Sequence, residues 1–141
     1  DTELFSDLID KITNYSFFNE ADAIIAIDAR GFILGGAVSN KLKKPLVLAR
    51  KKNKLPGLVI EANYGLEYGH DCLSIQKSAI LPFKKFVIID DLLATGGTAK
   101  CVIEMLRKEC KEVVALSVII ELCDLNGSEI LDTPVYSEVK Y

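Results

Sequence analysis

The sequence predicts an α/β protein with a mostly parallel central sheet that is flanked by helices. Short apolar runs of strand type recur along the chain, and several are separated by segments with helical periodicity. The runs lack strict alternation of apolar and polar residues, which is typical of strands buried on both faces. In such sheets, ligands bind where strands end and helices begin.

Five apolar runs are predicted to be strands. They cover residues 23–27, 46–49, 86–89 and 113–120, and a last run starts at Pro134. After Gly97, apolar residues recur at three- and four-residue steps, which predicts a helix ending near Cys110. Residues 32–42 are predicted to form a second helix. The N-terminal segment is predicted to form an amphipathic helix with Leu4, Leu8, Ile12 and Tyr15 along its apolar face.

Residues 51–76 interrupt this alternation of strand and helix patterns. They contain Pro56, Gly57, Gly65 and Gly69 and show no helical pattern. Because long excursions inside compact domains are often functional, we interpret this segment as a lid or flap.

Length and composition exclude several classes of protein. The 141 residues are expected to form a single domain, and the net charge of -3 gives little support for binding to nucleic acid or to an anionic membrane. An N-terminus with acidic residues and the absence of a long apolar run predict a cytoplasmic protein. Four cysteines without a C-x-x-C pair, and one histidine, favour reduced packing cysteines over a zinc site.

Two adjacent carboxylates end the apolar run "FVII" at positions 90 and 91. A buried strand would deliver Asp90 and Asp91 at the binding edge of the sheet. Ionised carboxylates accept hydrogen bonds and repel a phosphate, so they suit hydroxyl groups or a metal. We therefore predict that Asp90 and Asp91 bind the hydroxyl groups of a ribose.

The segment "ATGGT" follows directly and is predicted to bind a phosphate. It comprises Ala94, Thr95, Gly96, Gly97 and Thr98. The glycines allow a tight turn, the threonines add hydroxyl donors, and the start of the next helix offers free N–H groups. The alternative is a solvated turn with Thr95 as the helix N-cap, which leaves the paired acids unexplained. Neither G-x-x-x-x-G-K-[ST] nor G-x-G-x-x-G is present.

Several motifs together resemble the type I phosphoribosyltransferases. "DARGFILG", "RKKNKLPG", "YGLEYG", "DDLLATGGT" and "PVYSEVKY" occur in the order typical of that family, and "DDLLATGGT" is closest to members acting on adenine. The resemblance implies transfer of a 5-phosphoribosyl group from phosphoribosyl pyrophosphate to N9 of adenine, giving AMP and pyrophosphate. It also implies Mg2+ bound with phosphoribosyl pyrophosphate, a flexible catalytic loop and a homodimer.

The resemblance assigns further residues. Pyrophosphate binding is implied for two segments, Ala29 with Arg30, and Arg50 with Lys51 and Lys54. The family often has a strained peptide in the first segment, here between Asp28 and Ala29. The loop residues Glu67 and Tyr68 would act in catalysis, with Glu67 assisting proton movement at adenine, and Leu92 would pack against the base. No protein ligand for the metal is assigned.

The sequence departs from the family pattern at two places. Lys52-Asn53 replaces a glycine-containing form of the basic loop, and the N-terminal hood over the base has no counterpart in the sequence. Three alternatives therefore stay open. They are a phosphoribosyltransferase for hypoxanthine, guanine or xanthine, a non-catalytic regulator that binds phosphoribosyl pyrophosphate, and a structural subunit of an oligomer.

Overall fold

A seven-stranded sheet forms the centre of the described structure. The structure is a computed structural model that describes residues 1–66 and 69–141, with side chains in 1–64 and 71–141. The strands are β1 (Ala23–Ile27), β2 (Leu46–Lys51), β3 (Val59–Leu66), β4 (Gly69–Gln76), β5 (Lys85–Leu93), β6 (Glu112–Glu121) and β7 (Val135–Lys140). Their order is β3-β4-β2-β1-β5-β6-β7. The pairs β1–β2, β1–β5, β5–β6 and β6–β7 are parallel.

Helices cover both faces of the sheet. They are α1 (Thr2–Thr13), α2 (Phe17–Glu20), α3 (Gly31–Leu42), α4 (Lys77–Ile80) and α5 (Gly97–Lys108), and 3-10 turns span Cys123–Leu125 and Gly127–Ile130. Within the described residues, no helix has both the length and the apolar character needed to cross a membrane. This arrangement confirms the predicted α/β class.

The core lies in two apolar clusters, and the central strands contribute to both. Ile25 and Ile88 belong to the cluster that includes α5, whereas Ile24 and Val87 belong to the cluster that includes α1 and α3. All four side chains are fully buried. Burial on both faces explains why the apolar runs of β1 and β5 do not alternate with polar residues.

Most of residues 51–76, interpreted from the sequence as a lid or flap without a helix, form a β-hairpin whose strands were not predicted. Residues Val59–Leu66 and Gly69–Gln76 form the hairpin strands β3 and β4, which pair antiparallel from Val59–Gln76 to Leu66–Gly69. Strand β4 then pairs antiparallel with β2, so the hairpin extends the sheet at one edge. Polar residues on these strands, including the buried Ser74, interrupt the apolar pattern that identified the central strands.

One helix prediction needs correction in part. Ile12 is buried, and Leu8 and Tyr15 pack against the same apolar cluster as predicted, but Leu4 is 68% exposed and Tyr15 lies after the end of α1. Helix α5 ends at Lys108, near the predicted end, and Cys110 has a positive φ of 58°. Among the four free cysteines only Cys101 is fully buried, and Cys110 and Cys123 are exposed.

Candidate active site

A cleft of about 430 Å³ lies at the carboxyl ends of β1 and β5. In parallel sheets these ends meet at one edge, and the loops that follow them can therefore build a common site. The cleft is lined by Asp28, Ala29, Arg30, Lys51, Tyr64, the whole segment 90–99, Leu116 and Val118. Most of the residues predicted from the sequence to bind a ligand are therefore brought together.

Asp90 and Asp91 are the last polar residues that β5 presents before the turn, and both line the cleft. The backbone N–H of Asp91 donates to Oδ1 of Asp90 over 2.9 Å. Burial raises the pKa of Asp90 from 3.8 to about 7, and the neighbouring Asp91 carboxylate adds to this rise. The cleft thus holds a carboxyl group that titrates near neutral pH.

Asp91 is paired with Arg30, which follows β1. Nε of Arg30 donates to Oδ2 of Asp91 over 2.5 Å, and the Arg30 side chain is 72% exposed. This hydrogen bond and the carboxylate charge raise the pKa of Arg30 above its ordinary value. The predicted ribose acceptor and the predicted pyrophosphate cation are therefore in direct contact.

The predicted phosphate segment forms the turn between β5 and α5. Gly96 is the N-cap of α5 and has a φ of 84°, a region that side chains rarely adopt. Thr95 is therefore not the N-cap, which corrects the alternative raised from the sequence. All five residues of the segment line the cleft, so the unpaired N–H groups at the start of α5 lie beside it.

The basic residues are divided between the cleft and its surroundings. Lys51 lines the cleft, but Arg50 and Lys54 do not. Nε of Arg50 lies 3.5 Å from Oδ2 of Asp28, and Nη1 of Arg50 donates to the Lys54 carbonyl oxygen over 3.3 Å. Arg50 is thus linked to Asp28, which lines the cleft, and to the backbone of Lys54. The Asp28–Ala29 peptide, singled out from the sequence, is cis.

The remaining predicted residues have different outcomes. Leu92 lines the cleft, and its contact with the base stays a prediction. Glu67 and Tyr68 lie outside the described residues, so their assignment stays a prediction. They fall between β3 and β4, the two strands of the hairpin.

Tyr64 is a cleft residue to which the sequence interpretation gave no role. It lies on β3 opposite Asp71 of β4, and its hydroxyl interacts with the side chains of Thr98 and Asp71. Burial, followed by the charge of Asp71, raises the pKa of Tyr64. The available signal was its place in "YGLEYG", three residues before Glu67, but without the hairpin nothing directed Tyr64 toward Thr98.

The arrangement can hold a molecule that carries hydroxyl groups between two anionic groups. The carboxylates begin the lining segment 90–99, the phosphate turn follows them, and Arg30 at the start of α3 and Lys51 at the end of β2 supply positive charge. Carboxylates accept from hydroxyls, whereas cations and helix N–H groups bind phosphates. This donor and acceptor pattern matches a ribose with phosphate groups at both ends.

Comparison with known proteins gives a consistent result. A phosphoribosyl transferase domain matches residues 2–133. The adenine phosphoribosyltransferase of Prochlorococcus marinus (strain MIT 9211) is 53% identical over 132 residues, which are 94% of this chain and 77% of that protein.

Solved structures agree with the sequence match. The Saccharomyces cerevisiae adenine phosphoribosyltransferase, complexed with adenine and an imino-altritol bisphosphate, superposes with a TM-score of 0.89 at 34% identity over 99% of this chain and 81% of its own. The Trypanosoma brucei enzyme, in complex with AMP, pyrophosphate and ribose-5-phosphate, gives 0.85 at 26% identity over 99% and 65%. The chain therefore belongs to the adenine phosphoribosyltransferase family.

Proposed function

We propose that this chain transfers the 5-phosphoribosyl group of phosphoribosyl pyrophosphate to N9 of adenine. The observation that carries the proposal is the single cleft in which Asp90 and Asp91 adjoin both a phosphate turn and the cations Arg30 and Lys51. The C1′–O bond to pyrophosphate breaks as the C1′–N9 bond to adenine forms, and the products are AMP and pyrophosphate. The family to which the chain belongs supports the choice of adenine.

Each part of the cleft is assigned one portion of the substrate. The ribose hydroxyls donate to Asp90 and Asp91, and the 5′-phosphate accepts from the N–H and hydroxyl groups of residues 94–98. Pyrophosphate is bound by Arg30, the Ala29 amide and Lys51, with Arg50 and Lys54 adding charge from behind. Holding the substrate at both ends fixes C1′ between pyrophosphate and base, which lowers the entropy cost of reaching the transition state.

The chemical step builds positive charge at C1′. The carboxylates that bind the ribose hydroxyls also stabilise this oxocarbenium character, provided that water is excluded. Glu67 is proposed to accept the proton that N9 loses, and Tyr68 to shield the reacting atoms. Leu92 forms an apolar wall beside the purine. General base help of this kind typically contributes about 10²–10⁴-fold in rate.

We further propose that Mg2+ enters with phosphoribosyl pyrophosphate. Among the described residues no group of three or more His, Cys, Asp or Glu side chains could hold a metal ion. Mg2+ is commonly bound by one or two carboxylates together with substrate phosphates, and Asp90 and Asp91 are the cleft carboxylates that could serve. The ion would neutralise charge on the leaving pyrophosphate.

Three broader features also belong to the proposal. We propose that residues 1–141 act as one catalytic domain, supported by the single sheet that carries the cleft. A homodimer is proposed from the family resemblance, and light scattering during size-exclusion chromatography would test it. A cytoplasmic location is proposed because all four cysteines are free.

A turnover assay tests the proposal directly. The chain is incubated with phosphoribosyl pyrophosphate, Mg2+ and, in turn, adenine, hypoxanthine, guanine or xanthine, and nucleotide and pyrophosphate are quantified. Formation of AMP from adenine alone is expected. Turnover of another base instead would indicate a different purine specificity, and binding of phosphoribosyl pyrophosphate without turnover of any base would favour a regulator.

A further inference from the structure

The phosphate turn rests on a second backbone segment that lies outside the cleft. The 3-10 turn Gly127–Ile130 packs against residues 94–96, and Gly127 itself is buried and does not line the cleft. A Cβ atom added at Gly127 would overlap the carbonyl oxygen of Ala94 and would lie 2.9 Å from the backbone nitrogen of Gly96. These positions are well inside van der Waals contact, so only hydrogen fits at this point.

Gly96 also allows this close approach between the phosphate turn and the 3-10 turn. A Cβ atom added at Gly96 would lie 2.5 Å from the carbonyl oxygen of Gly127 and 3.0 Å from Cγ1 of Ile130. Two glycines thus bring the backbones of the phosphate turn and the 3-10 turn together. The positive φ of Gly96 accounts for a glycine at that position, but no positive φ requires one at Gly127. The close packing itself is the reason for Gly127.

This packing determines which way the peptide between Ala94 and Thr95 faces. The Ala94 carbonyl oxygen points to Gly127, behind the turn. In a trans peptide the C=O and N–H groups point in opposite directions, and the only cis bond among the described residues is Asp28–Ala29. The N–H of Thr95 is therefore directed away from Gly127, toward the cleft that Ala94 and Thr95 line.

The 3-10 turn is itself held in place by a buried acid. Glu121, at the end of β6, is 5% exposed and accepts from the Ser137 hydroxyl over 2.8 Å. It also interacts with the side chain of Ser128 and lies 3.2 Å from Nζ of Lys140. The hydrogen bonds and the Lys140 charge lower the pKa of Glu121 despite its burial. The 3-10 turn that supports the phosphate turn is thus connected to β6 and β7.

We propose that Gly127 is a positioning residue for the 5′-phosphate, because its missing side chain lets the Ala94 carbonyl turn backward and the Thr95 N–H face the ligand. The proposal rests on the proposed function, since it assumes a phosphate bound at residues 94–98. A larger residue at position 127 rotates the Ala94–Thr95 peptide and removes one donor. The cations assigned to pyrophosphate follow β1 or belong to β2 and the loop after it, away from position 127, and are left unchanged.

The test compares Gly127→Ala with the wild-type chain by isothermal titration calorimetry. AMP, adenosine and pyrophosphate are the ligands, and thermal unfolding is recorded in parallel. The variant is expected to bind AMP at least about tenfold more weakly, the effect of losing one hydrogen bond to a charged group. Its affinities for adenosine and pyrophosphate should stay within about twofold of wild type.

Gly36→Ala is the matched control, because a Cβ atom at Gly36 meets nothing within 4 Å. This change should leave all three affinities unaltered. If Gly127→Ala weakens the binding of AMP and of adenosine equally, the proposal is overturned. It is also overturned if the variant binds AMP with wild-type affinity. If wild-type protein does not prefer AMP to adenosine, the phosphate assignment itself fails, which is a distinguishable result.

Ile130→Ala provides the answer if Gly127→Ala does not fold. Ile130 is 46% exposed, so its truncation should be tolerated, yet its side chain supports Gly96 from behind. We expect about a threefold loss in AMP affinity with unchanged pyrophosphate affinity. A variant that binds AMP as wild type does would contradict the supporting role of the 3-10 turn.

Discussion

Replacing Asp90 with asparagine should make the free protein more stable at alkaline pH while impairing its activity. Burial raises the pKa of Asp90 to about 7, compared with 3.8 for an exposed aspartate. The native state therefore binds a proton that the unfolded state releases between these two values. Stability falls as the pH rises through this range, and above pH 7 the buried charge is present at full cost.

The size of the effect follows from the two pKa values. A difference of about three pH units corresponds to about 4 kcal/mol over the whole range, at 1.36 kcal/mol for each unit. Between pH 5 and pH 8 the wild-type protein should lose about 2–3 kcal/mol relative to Asp90→Asn. An asparagine oxygen can still accept the 2.9 Å hydrogen bond from the Asp91 N–H, so that backbone donor keeps its partner.

Urea unfolding of both proteins at pH 5, 6, 7 and 8 measures this difference directly. Comparison with the variant cancels the other titrating groups that the two proteins share. The free energy of unfolding of Asp90→Asn minus that of wild type should increase with pH and level off above pH 7. A difference that does not depend on pH, or one that falls with pH, would refute the assignment of a buried titrating carboxyl at position 90.

Three further substitutions test separate parts of the site. Arg30→Met should weaken inhibition by pyrophosphate at least about tenfold, and unchanged inhibition would remove Arg30 from the pyrophosphate site. Glu67→Gln should lower kcat by about 10²-fold or more with little change in KM, whereas a pure KM effect would make Glu67 a binding residue. Tyr64→Phe should weaken AMP binding about threefold, because the Thr98 hydroxyl loses its contact with the Tyr64 hydroxyl. Adenosine binding is the control for a general packing defect.

The central strands could be predicted from the sequence because their surroundings are uniform. Residues 23–27 were predicted as a strand and form β1 with the same limits, since every side chain in that run is buried. Strands β3 and β4 were missed because polar residues such as Asp71 and Ser74, together with glycines, interrupt their apolar pattern. Leu4 was misplaced because helical spacing alone does not say how far along α1 the contact with the core extends.

The candidate site was predictable where one continuous segment supplies the chemistry. Residues 90–98 lie in sequence order along one cleft wall, so their types and spacing indicated their roles. Tyr64 and Gly127 could not be found this way, because each reaches the phosphate turn from an element distant in sequence. Tyr64 is brought there because α5 packs on β3, and Gly127 because the 3-10 turn after β6 packs on residues 94–96. Single-sequence patterns do not contain such contacts.

The ion pair between Arg30 and Asp91 explains why the intact substrate should bind better than its parts. Pyrophosphate alone must draw Arg30 away from Asp91 and leaves that carboxylate without a partner. A ribose alone must compete with Arg30 for the same carboxylate. On the proposed assignment, phosphoribosyl pyrophosphate would replace both halves of the pair at once, since its pyrophosphate would receive Arg30 while its hydroxyls would donate to Asp91. After the C1′–O bond breaks, the two replacements would belong to separate molecules, so departure of both products would let the ion pair re-form.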